Sequence, residues 1–426
     1  MSKFSFSDLK LNDQIQKSLK SLGYVEPTPI QEKTIPPALE GRDILGIAQT
    51  GTGKTASFCL PILNQLLTDN PNLSAYSPKA LILTPTRELA IQIQKNHESY
   101  SKFTKHKCTS IFGGVSQNKQ VSILKSGVHT LVATPGRLMD LMSQNLLRLG
   151  QVEYFVLDEA DRMLDMGFMP AVKKIFARLP EKRQNMFFSA TMPPEIKKLT
   201  SKMLNNPVKA EITPQATTVK KIAQSVMYVE KSKKMALLTH LLKNNDLNKT
   251  LVFVEMKYAA NRIAKKLVSS GIPNAVIHGN KSQSARQRAI KMFADNEVKV
   301  LLATDIASRG IDISGITHVI NYQLSNMAES YVHRIGRTAR AGADGKAISL
   351  VTADEKSFLV NVEKVTGQNI PVTIDHPFHS QEAQDAAVIK PSKAKAKIEG
   401  ERKKEARTHR KKSFRGRGKK KPQGRK

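Results

Sequence analysis

The chain has 426 residues and a formal net charge of +32, with 68 Lys or Arg against 36 Asp or Glu. Its length predicts two domains with extensions, and its charge predicts a polyanionic partner, nucleic acid ahead of an acidic membrane surface. Cys59 and Cys108 match neither a metal-binding spacing nor a disulfide framework, and no apolar run approaches the roughly 20 residues of a membrane span. The amino terminus lacks a signal-peptide hydrophobic region, so the sequence indicates a cytoplasmic protein without a membrane segment.

Short apolar runs alternate with amphipathic stretches along most of the chain, which is typical of strands buried on both faces of a parallel sheet. In the first part these runs are Asp43–Ile47, Ala80–Thr84, Thr130–Thr134, Val152–Leu157 and Asn185–Ser189. In the second part they are Lys249–Val254, Asn274–His278, Lys299–Thr304, His318–Tyr322 and Ala347–Val351. The pattern predicts an α/β fold with two consecutive doubly wound domains, residues 1–212 and 221–374, joined by a polar linker at 213–220.

The last part of the chain, residues 375–426, loses this pattern and is predicted to be a disordered basic tail. Residues 390–426 alone contain 18 Lys or Arg and 3 Glu. Such a segment cannot bury enough apolar surface to fold by itself. It is expected to bind phosphates of RNA with little sequence preference, the alternative being a solvated tail that only aids solubility.

A phosphate-binding loop is predicted after the first strand. Its glycines allow backbone N–H groups to turn toward an anion, Lys54 adds a positive charge, and the Thr55 hydroxyl can bind Mg²⁺. The usual pattern begins with glycine, whereas this chain has alanine there. The residues of the loop are Ala48, Gln49, Thr50, Gly51, Thr52, Gly53, Lys54 and Thr55.

Two carboxylates follow the apolar run that ends at Leu157. Asp158, at the end of a buried strand, is placed to hold Mg²⁺, and Glu159 is placed to orient and deprotonate a water. Lys54, Asp158 and Glu159 together predict hydrolysis of a nucleoside triphosphate. The alternatives are that the glycines only mark a turn and that the acidic residues lie on a solvated face.

Further motifs accompany these two in a fixed order. They are YVEPTPIQ at 24–31, PTRELA at 85–90, TPGR at 134–137, DEAD at 158–161, SAT at 189–191, ATDIASRGID at 303–312 and HRIGRTAR at 333–340. The ordered set resembles the DEAD-box RNA helicases over roughly residues 4–370, and within them the bacterial RhlE-like subgroup. The resemblance implies two tandem RecA-like domains, with ATP and Mg²⁺ bound by the first.

Base selection is assigned to Gln31, whose amide can pair with adenine N6 and N7. Phe6 resembles the family's adenine-stacking aromatic residue, with Phe4 as a rival and a hydrophobic plug as the alternative role. The resemblance also implies that Arg337 and Arg340 act as arginine fingers, which makes hydrolysis depend on domain closure. Further implied roles are a ribose contact by Asp312 and coupling of the two sites by His333.

A relay from nucleotide to domain closure is also expected, in which Ser189 and Thr191 bond to Asp161; a plain strand-end turn is the alternative. The family's RNA contacts match residues in both domains, and they predict recognition of phosphate and sugar groups without base reading. Met256 and Ala339 depart from the family pattern, where a hydroxyl residue and a glycine are common. The matched RNA contacts are Arg87, Gly114, Thr134, Arg137, Gln283, Arg286 and Thr304.

The expected activity is ATP-dependent separation of short RNA duplexes by a monomeric core, in which ATP and RNA favour the same closed state. Three alternatives stay open: an ATP-gated RNA clamp or annealing protein, a DNA-translocating helicase, and a phosphate transferase acting on a metabolite. The last fits neither the charge nor the second domain. The subgroup's implied roles are ribosome assembly, RNA decay and growth in the cold, and the residues do not choose among them.

Overall fold

The structure is a computed structural model that describes residues 4–49, 51–69, 72–212, 222–243, 247–305, 313, 315–339 and 344–389. The chain divides into two compact units, one on each side of residues 213–221. Each unit contains its own parallel β-sheet with helices packed on both faces. This architecture confirms the predicted α/β class with two consecutive doubly wound domains.

The first unit, as far as it is described, contains a seven-stranded parallel sheet in the order β3-β4-β2-β5-β6-β1-β7. Its strands are β1 Ile44–Ile47, β2 Ala80–Leu83, β3 Cys108–Ile111, β4 Thr130–Ala133, β5 Tyr154–Leu157, β6 Gln184–Ser189 and β7 Val208–Glu211. Its helices are α1 Asp13–Ser21, α2 Pro29–Leu39, α3 Lys54–Asp69, α4 Arg87–Tyr100, α5 Gln117–Lys125, α6 Pro135–Ser143, α7 Ala160–Asp165, α8 Met169–Phe176 and α9 Pro194–Met203. A 3₁₀ turn, Phe6–Asp8, precedes α1.

Alternate residues of the central strands enter two separate hydrophobic cores. In β2, Ile82 packs with residues of α1 to α4, whereas Leu81 and Leu83 pack with residues of α6 to α9. All four residues of β2 are buried, because both faces of the strand are covered. The burial of both faces explains why the central strands are near-continuous apolar runs in the sequence.

The described part of the second unit contains a six-stranded parallel sheet in the order β10-β11-β9-β12-β13-β8. Its strands are β8 Ile222–Tyr228, β9 Thr250–Phe253, β10 Asn274–Ile277, β11 Val300–Ala303, β12 His318–Asn321 and β13 Gly345–Val351. Its helices are α10 Lys234–Lys243, α11 Lys257–Ser269, α12 Gln283–Ala294, α13 Ala328–Ile335, α14 Lys356–Thr366 and α15 Gln381–Asp385. Another 3₁₀ turn, Ala353–Glu355, leads into α14.

Three strands are absent from the sequence prediction: β3, β7 and β8. All three lie at sheet edges and part of each strand stays accessible; the outer side of β8 meets only short bridging segments, such as the one between Val226 and Val372. Their residues therefore mix polar and apolar types, as in Val208–Glu211, and lack the uninterrupted apolar run that marks a central strand.

The predicted start of a disordered tail at residue 375 is wrong for residues 375–389, which pack on the second unit. The Ser380 N–H donates to the Tyr228 carbonyl at 3.1 Å, and Ala383 of α15 is buried in the core beside β8. Lys356 Nζ donates to the carbonyls of Gln384 and Ala386 and so caps the end of α15. The predicted linker at 213–220 and the basic segment 390–426 lie outside the described residues.

No helix in the described ranges is both long enough and apolar enough to cross a bilayer.

Candidate active site

The phosphate-binding loop lies between β1 and α3, at the carboxyl edge of the first sheet. Gly51 and Gly53 have φ angles of +86° and +94°, a region that side-chain-bearing residues rarely adopt. A Cβ atom on Gly53 would collide with the Gln31 amide and the Thr28 hydroxyl. The loop therefore turns its backbone toward the amino terminus of α3, a 16-residue helix whose first N–H groups suit an anion. Thr50 is outside the described residues.

Lys54 is buried against this loop, with 6% of the residue exposed. Its Nζ donates to the Ala48 carbonyl at 2.7 Å, and the Ala48 N–H donates to the Ser189 carbonyl at 3.0 Å. Ala48 is thus fixed by backbone bonds that an alanine makes as well as a glycine. The Thr52 hydroxyl donates to the Gln49 carbonyl at 2.8 Å, which closes the loop on itself, and Thr55 follows Lys54 half-buried in α3.

Asp158 and Glu159 follow β5, whose neighbours in the sheet are β2 and β6. Both residues are buried, and Asp158 Oδ1 accepts a hydrogen bond from the Glu159 N–H at 2.9 Å. Burial raises the pKa of Asp158 to about 7; Lys54 opposes this shift and the Glu159 carboxylate adds to it. A divalent cation would relieve the crowding of two buried carboxylates.

The residues present fit Mg²⁺ held jointly by protein and phosphate. In the part of the chain that the structure describes, no group of three or more His, Cys, Asp or Glu side chains could hold a metal by itself. Mg²⁺ commonly keeps several waters and binds through one or two carboxylates and substrate phosphates. Asp158 and the Thr55 hydroxyl are the residues that would hold it.

Glu159 also forms a buried ion pair that the sequence analysis missed. Arg162 Nη1 donates to Glu159 Oε1 at 2.8 Å and to Oε2 at 2.6 Å. The backbone of Glu159 has φ +53° and ψ +51°, a left-handed conformation that costs energy in a residue with a side chain. The sequence signal for this pair was an acidic residue and an arginine at positions i and i+3 at the start of a helix.

The predicted contacts between Asp161, Ser189 and Thr191 are present. Asp161 Oδ2 accepts hydrogen bonds from the Thr191 N–H and hydroxyl, each at 2.9 Å. The Asp161 N–H donates to the Ser189 hydroxyl oxygen at 3.2 Å, and that hydroxyl donates to the Thr191 carbonyl at 2.8 Å. The ends of β5 and β6 are therefore joined through side chains of both motifs.

Gln31 joins its own segment to the phosphate-binding loop. Its Oε1 accepts from the Thr28 N–H at 2.8 Å and its Nε2 donates to the Gly53 carbonyl at 3.0 Å. The Thr28 hydroxyl donates to the Thr52 carbonyl at 2.7 Å. Each end of the Gln31 amide has one further hydrogen-bonding position, but the residue is only 3% exposed, and base recognition by Gln31 stays a prediction.

The structure does not support the prediction that Phe6 stacks on adenine. Phe6 is 2% exposed, lies in the core of the first unit and packs edge-to-face on Tyr24, with ring centroids 5.4 Å apart. A stacking residue needs an accessible ring face, so this placement favours the hydrophobic plug. Phe4, the rival candidate, is half-buried against the same core.

The RNA-contact candidates of the first unit follow three adjacent strands, β2, β3 and β4. The guanidinium of Arg87 lies so close to Gly114 that a Cβ there would collide with it, and Gly114 has φ +79°. Arg137 donates to Gln120 Oε1 and to the Val115 carbonyl, each at 3.1 Å. Thr134 is buried at the start of α6. These residues lie at the same carboxyl edge of the sheet as the phosphate-binding loop. They follow strands in the half of the sheet that contains β2, β3 and β4, whereas the loop follows β1 in the other half.

The corresponding residues of the second unit follow the adjacent strands β10 and β11. Gln283 and Arg286 lie in the first turn of α12 and are 4% and 7% exposed. Thr304 follows β11, and its N–H donates to the Ile277 carbonyl at 3.3 Å. The structure thus brings these three candidates to one edge of the second sheet.

Arg334 fixes the segment that carries Arg337. Its guanidinium donates to Asp305 Oδ1 at 2.6 Å and Oδ2 at 2.7 Å, and Nη1 donates to the Gln323 carbonyl at 2.6 Å. Arg337 follows this anchor, with its N–H donating to the Arg334 carbonyl at 3.1 Å, and is buried. His333 is half-buried in the same turn, whereas Arg340 and Asp312 lie outside the described residues.

Two tandem parallel-sheet units, the first with a phosphate-binding loop beside paired carboxylates, define a two-domain nucleoside triphosphatase of the helicase type. The DEAD/DEAH box helicase family matches residues 28–199, and the helicase conserved C-terminal domain matches residues 233–342. The ATP-dependent RNA helicase CshA of Limosilactobacillus reuteri is 41% identical over 382 residues, which cover 89% of this chain and 76% of that protein. The chain belongs to the DEAD-box ATP-dependent RNA helicases, as its motifs indicated.

Other relatives agree with this assignment. The ATP-dependent RNA helicase DbpA of Bacillus subtilis (strain 168) is 42% identical over 365 residues, covering 86% of this chain and 75% of that protein. Among solved structures, S. cerevisiae Dbp5 bound to RNA and ADP BeF3 is similar with a TM-score of 0.77 and 32% identity. The matched region covers 87% of this chain and 95% of the Dbp5 chain.

Proposed function

We propose that the chain hydrolyses ATP to ADP and phosphate in response to RNA, and uses closure of its two domains to separate short RNA duplexes locally. The observation that carries this proposal is the placement of Lys54 beside Asp158 and Glu159, on the same sheet edge as Arg87 and Arg137. Hydrolysis and RNA binding in the first unit then depend on neighbouring strand ends. The RNA-bound and nucleotide-bound complex of the yeast relative Dbp5 supports the same combination of ligands.

The residues of the first unit divide the chemistry of hydrolysis among them. Lys54 binds the β- and γ-phosphates, and Thr55 and Asp158 would hold a Mg²⁺ ion, partly through water, which would neutralise phosphate charge. Glu159 accepts a proton from a water while the water oxygen bonds to the γ-phosphorus. The bond from that phosphorus to the bridging oxygen breaks, and the electron pair leaves with ADP.

The second unit supplies the remaining positive charge. Arg337 and Arg340 are proposed to reach the transferring phosphoryl group when the domains close, and Asp312 to contact the ribose. A planar guanidinium suits the charge that spreads over the phosphoryl oxygens, and an arginine finger contributes a factor of about 10³–10⁵ to the rate. His333 and the Asp161–Thr191 bonds are proposed to link this closure to the nucleotide.

RNA binding is proposed at the strand ends described above in both units. Arg87, Arg137 and Arg286 can donate to phosphate oxygens, and Thr134 and Thr304 to sugar or phosphate oxygens. These groups recognise a backbone rather than bases, and contacts to 2′-hydroxyls would favour RNA over DNA. Because ATP and RNA both favour the closed state, each is expected to tighten binding of the other.

The decisive measurement is the ATPase rate of the full chain with and without single-stranded RNA and with DNA of the same sequence. We expect RNA to stimulate turnover strongly and DNA to do so much less. Equal turnover with and without RNA refutes the proposal, and equal stimulation by DNA revives the DNA-translocating alternative. The variant Arg137→Gln should weaken stimulation by RNA while leaving the basal rate unchanged.

A second candidate function is an ATP-gated RNA clamp or an RNA-annealing protein. The 18 Lys or Arg residues among residues 390–426 favour it, because a basic segment screens the repulsion between two RNA strands. Strand separation and annealing should be compared for the full chain and for a chain that ends at residue 389. Annealing without separation by the full chain would establish the second function instead.

The cellular role is proposed only as a class: ribosome assembly, RNA decay or growth in the cold, as for the RhlE-like subgroup that the motifs resemble. A cytoplasmic location and a monomeric core accompany this proposal. Sequencing of the RNAs that crosslink to the protein in cells would decide among ribosomal precursors, decay substrates and other transcripts.

A further inference from the structure

Helix α8 of the first unit packs one apolar stripe on the core, and the edge of that stripe lines a groove. Val172 and Ile175 face the core and are fully buried. Met169 and Phe176 project beside a groove of about 530 Å³ between α8 and α9. Both side chains are half-buried at the edge of the same core, and apolar side chains left partly accessible in a groove indicate a surface that another element can cover. We call this the α8–α9 groove, lined by Leu164, Met169, Phe176, Leu199 and Met203 with a rim of Lys173, Lys198, Lys202 and Glu195.

The rim of the groove is positively charged. Lys173 lies on α8, and Lys198 and Lys202 lie one turn apart on α9; all three are exposed. Glu195 is the one acidic side chain in the lining as described. An occupant therefore needs apolar residues for the floor and negative charge for the rim.

The lining favours a protein helix over nucleic acid. The ring of Phe176 is already engaged, since the guanidinium carbon of Arg183 lies 4.1 Å from its centroid and Phe155 packs against it at 5.7 Å. Arg183 thus covers one face of the Phe176 ring, which leaves little aromatic surface there on which a base could stack. Met169 and Met203 adapt to irregular apolar side chains, as methionines do at helix-binding surfaces.

We propose that the α8–α9 groove binds an amphipathic helix of a partner protein, with one apolar face and flanking acidic residues. The basic segment at residues 390–426 is excluded as an occupant because the lysine rim repels it. The groove volume suits several apolar side chains, since pockets that bury drug-sized ligands span about 300–1,000 Å³. Leu164 lies on α7, so such a helix would touch the element that carries Arg162.

The test uses the full chain and a fluorescein-labelled helical peptide of about 18 residues, with leucines spaced i, i+3, i+4 and i+7 between glutamates. Anisotropy is measured in roughly 0.3 M salt, so that long-range attraction to the basic chain is screened. The groove variant is K173E/K198E/K202E. The matched control K174E/K182E/K197E changes the net charge equally at exposed lysines outside the groove.

We expect the groove variant to bind the peptide at least about tenfold more weakly than the unmodified chain. The affinity of the control variant should fall by less than about threefold. Met169→Gln, which keeps the side-chain size, should also weaken binding. A photo-crosslinker on an apolar position of the peptide should label α8 or α9. Thermal unfolding of each variant confirms that it is folded.

Several outcomes overturn the proposal. These are no measurable binding to the unmodified chain, equal loss in both triple variants, equal binding of a peptide with the same composition in scrambled order, and crosslinks confined to other helices. Displacement of the peptide from the groove by oligouridylate would assign the surface to RNA instead. The assay contains neither ATP nor RNA in its basic form, so its result is independent of the proposed helicase activity.

Discussion

Glu159 and Arg162 form an ion pair in which both side chains are almost completely buried, 5% and 4% exposed. One guanidinium nitrogen donates to both carboxylate oxygens, at 2.8 and 2.6 Å. The proposed general base is therefore held by a cation in this structure. To take a proton from water, the Glu159 carboxylate must turn one oxygen toward the γ-phosphate while Arg162 keeps the other.

Removal of Arg162 should destabilise the first unit. Arg162→Met leaves the Glu159 carboxylate buried without a cation, a loss of about 3–5 kcal/mol in comparable buried pairs. The double variant Arg162→Met with Glu159→Gln removes both charges and should recover most of that loss. Urea unfolding of the nucleotide-free chain measures both effects. A double variant as unstable as the single one would show that the ion pair is not the cause.

Glu159→Gln should abolish turnover without preventing ATP binding. Glutamine cannot accept the proton, and loss of a general base lowers kcat by about 10²–10⁴-fold. Lys54, Thr55 and Asp158 remain, so binding of a fluorescent ATP analogue should persist, and RNA should stay bound with it. Single-turnover hydrolysis is the measurement. Normal hydrolysis by this variant would show that another group is the base.

The chemical centre of the first unit could be predicted from sequence because glycines, a lysine and strand-end acids carry its pattern locally. The ion pairs could not. Arg334 and Asp305 are 29 residues apart, and only the fold brings the guanidinium of one to the carboxylate of the other. Arg162 was within reach of a sequence argument, but a surface pair and a buried pair have the same spacing.

The burial of individual side chains was the second feature that could not be predicted from the sequence. Phe4 and Phe6 alternate with serines, and this pattern does not reveal which ring enters the core. Residues 375–389 have apolar side chains in no regular period, and they are held by backbone bonds to β8 and by Lys356, which lies well before them in the chain. Such tertiary contacts leave no periodic signal in the segment itself.

Ala339→Gly should stabilise the second unit. Ala339 is 8% exposed and has φ +54°, which places a Cβ in the left-handed region. That conformation costs about 1–2 kcal/mol, and the greater freedom of glycine in the unfolded chain offsets part of the gain. We expect a net increase of about 0.5–1 kcal/mol in the free energy of unfolding. The control Ala289→Gly, inside α12, should lower it by about 1 kcal/mol.

Acidification should destabilise the first unit through a stack of three histidines. The His106 ring lies between His97 and His129, with centroid distances of 4.8 and 4.5 Å. Burial lowers the pKa of His97 to about 4 and the pKa of His106 to about 2; burial also lowers the pKa of His129, whose Nδ1 accepts from the Lys107 N–H. The folded state therefore binds fewer protons than the unfolded chain below about pH 6.5, and stability falls as pH falls through that range.

His97→Phe isolates one member of this stack. His97 is fully buried, and neither ring nitrogen has a hydrogen-bond partner among the described residues. Phenylalanine keeps the stacking on His106 and cannot be protonated. Between pH 7 and pH 5 the variant should lose about 1–2 kcal/mol less stability than the unmodified chain, by urea unfolding at each pH. Parallel stability curves for the two proteins would contradict the prediction.

Two truncations separate the packed and the basic parts of the carboxyl-terminal segment. A chain ending at residue 374 loses Ala383 from the core, the Ser380 bond to β8 and the carbonyls that Lys356 caps. Each lost hydrogen bond contributes about 0.5–1.5 kcal/mol, so we expect the second unit to lose about 2 kcal/mol or more. A chain ending at residue 389 keeps all of these contacts and should unfold at the same urea concentration as the full chain.

RNA affinity should respond in the opposite order. The chain ending at residue 389 lacks the 18 Lys or Arg of residues 390–426. It should bind single-stranded RNA more weakly, and its RNA affinity should depend less steeply on salt concentration. The further cut to residue 374 removes His376 and His379 and no Lys or Arg, so it should lower affinity little beyond its effect on folding. Equal stability of both truncated chains would mean that residues 375–389 do not support the second unit, because the contacts of α15 would then contribute no net free energy.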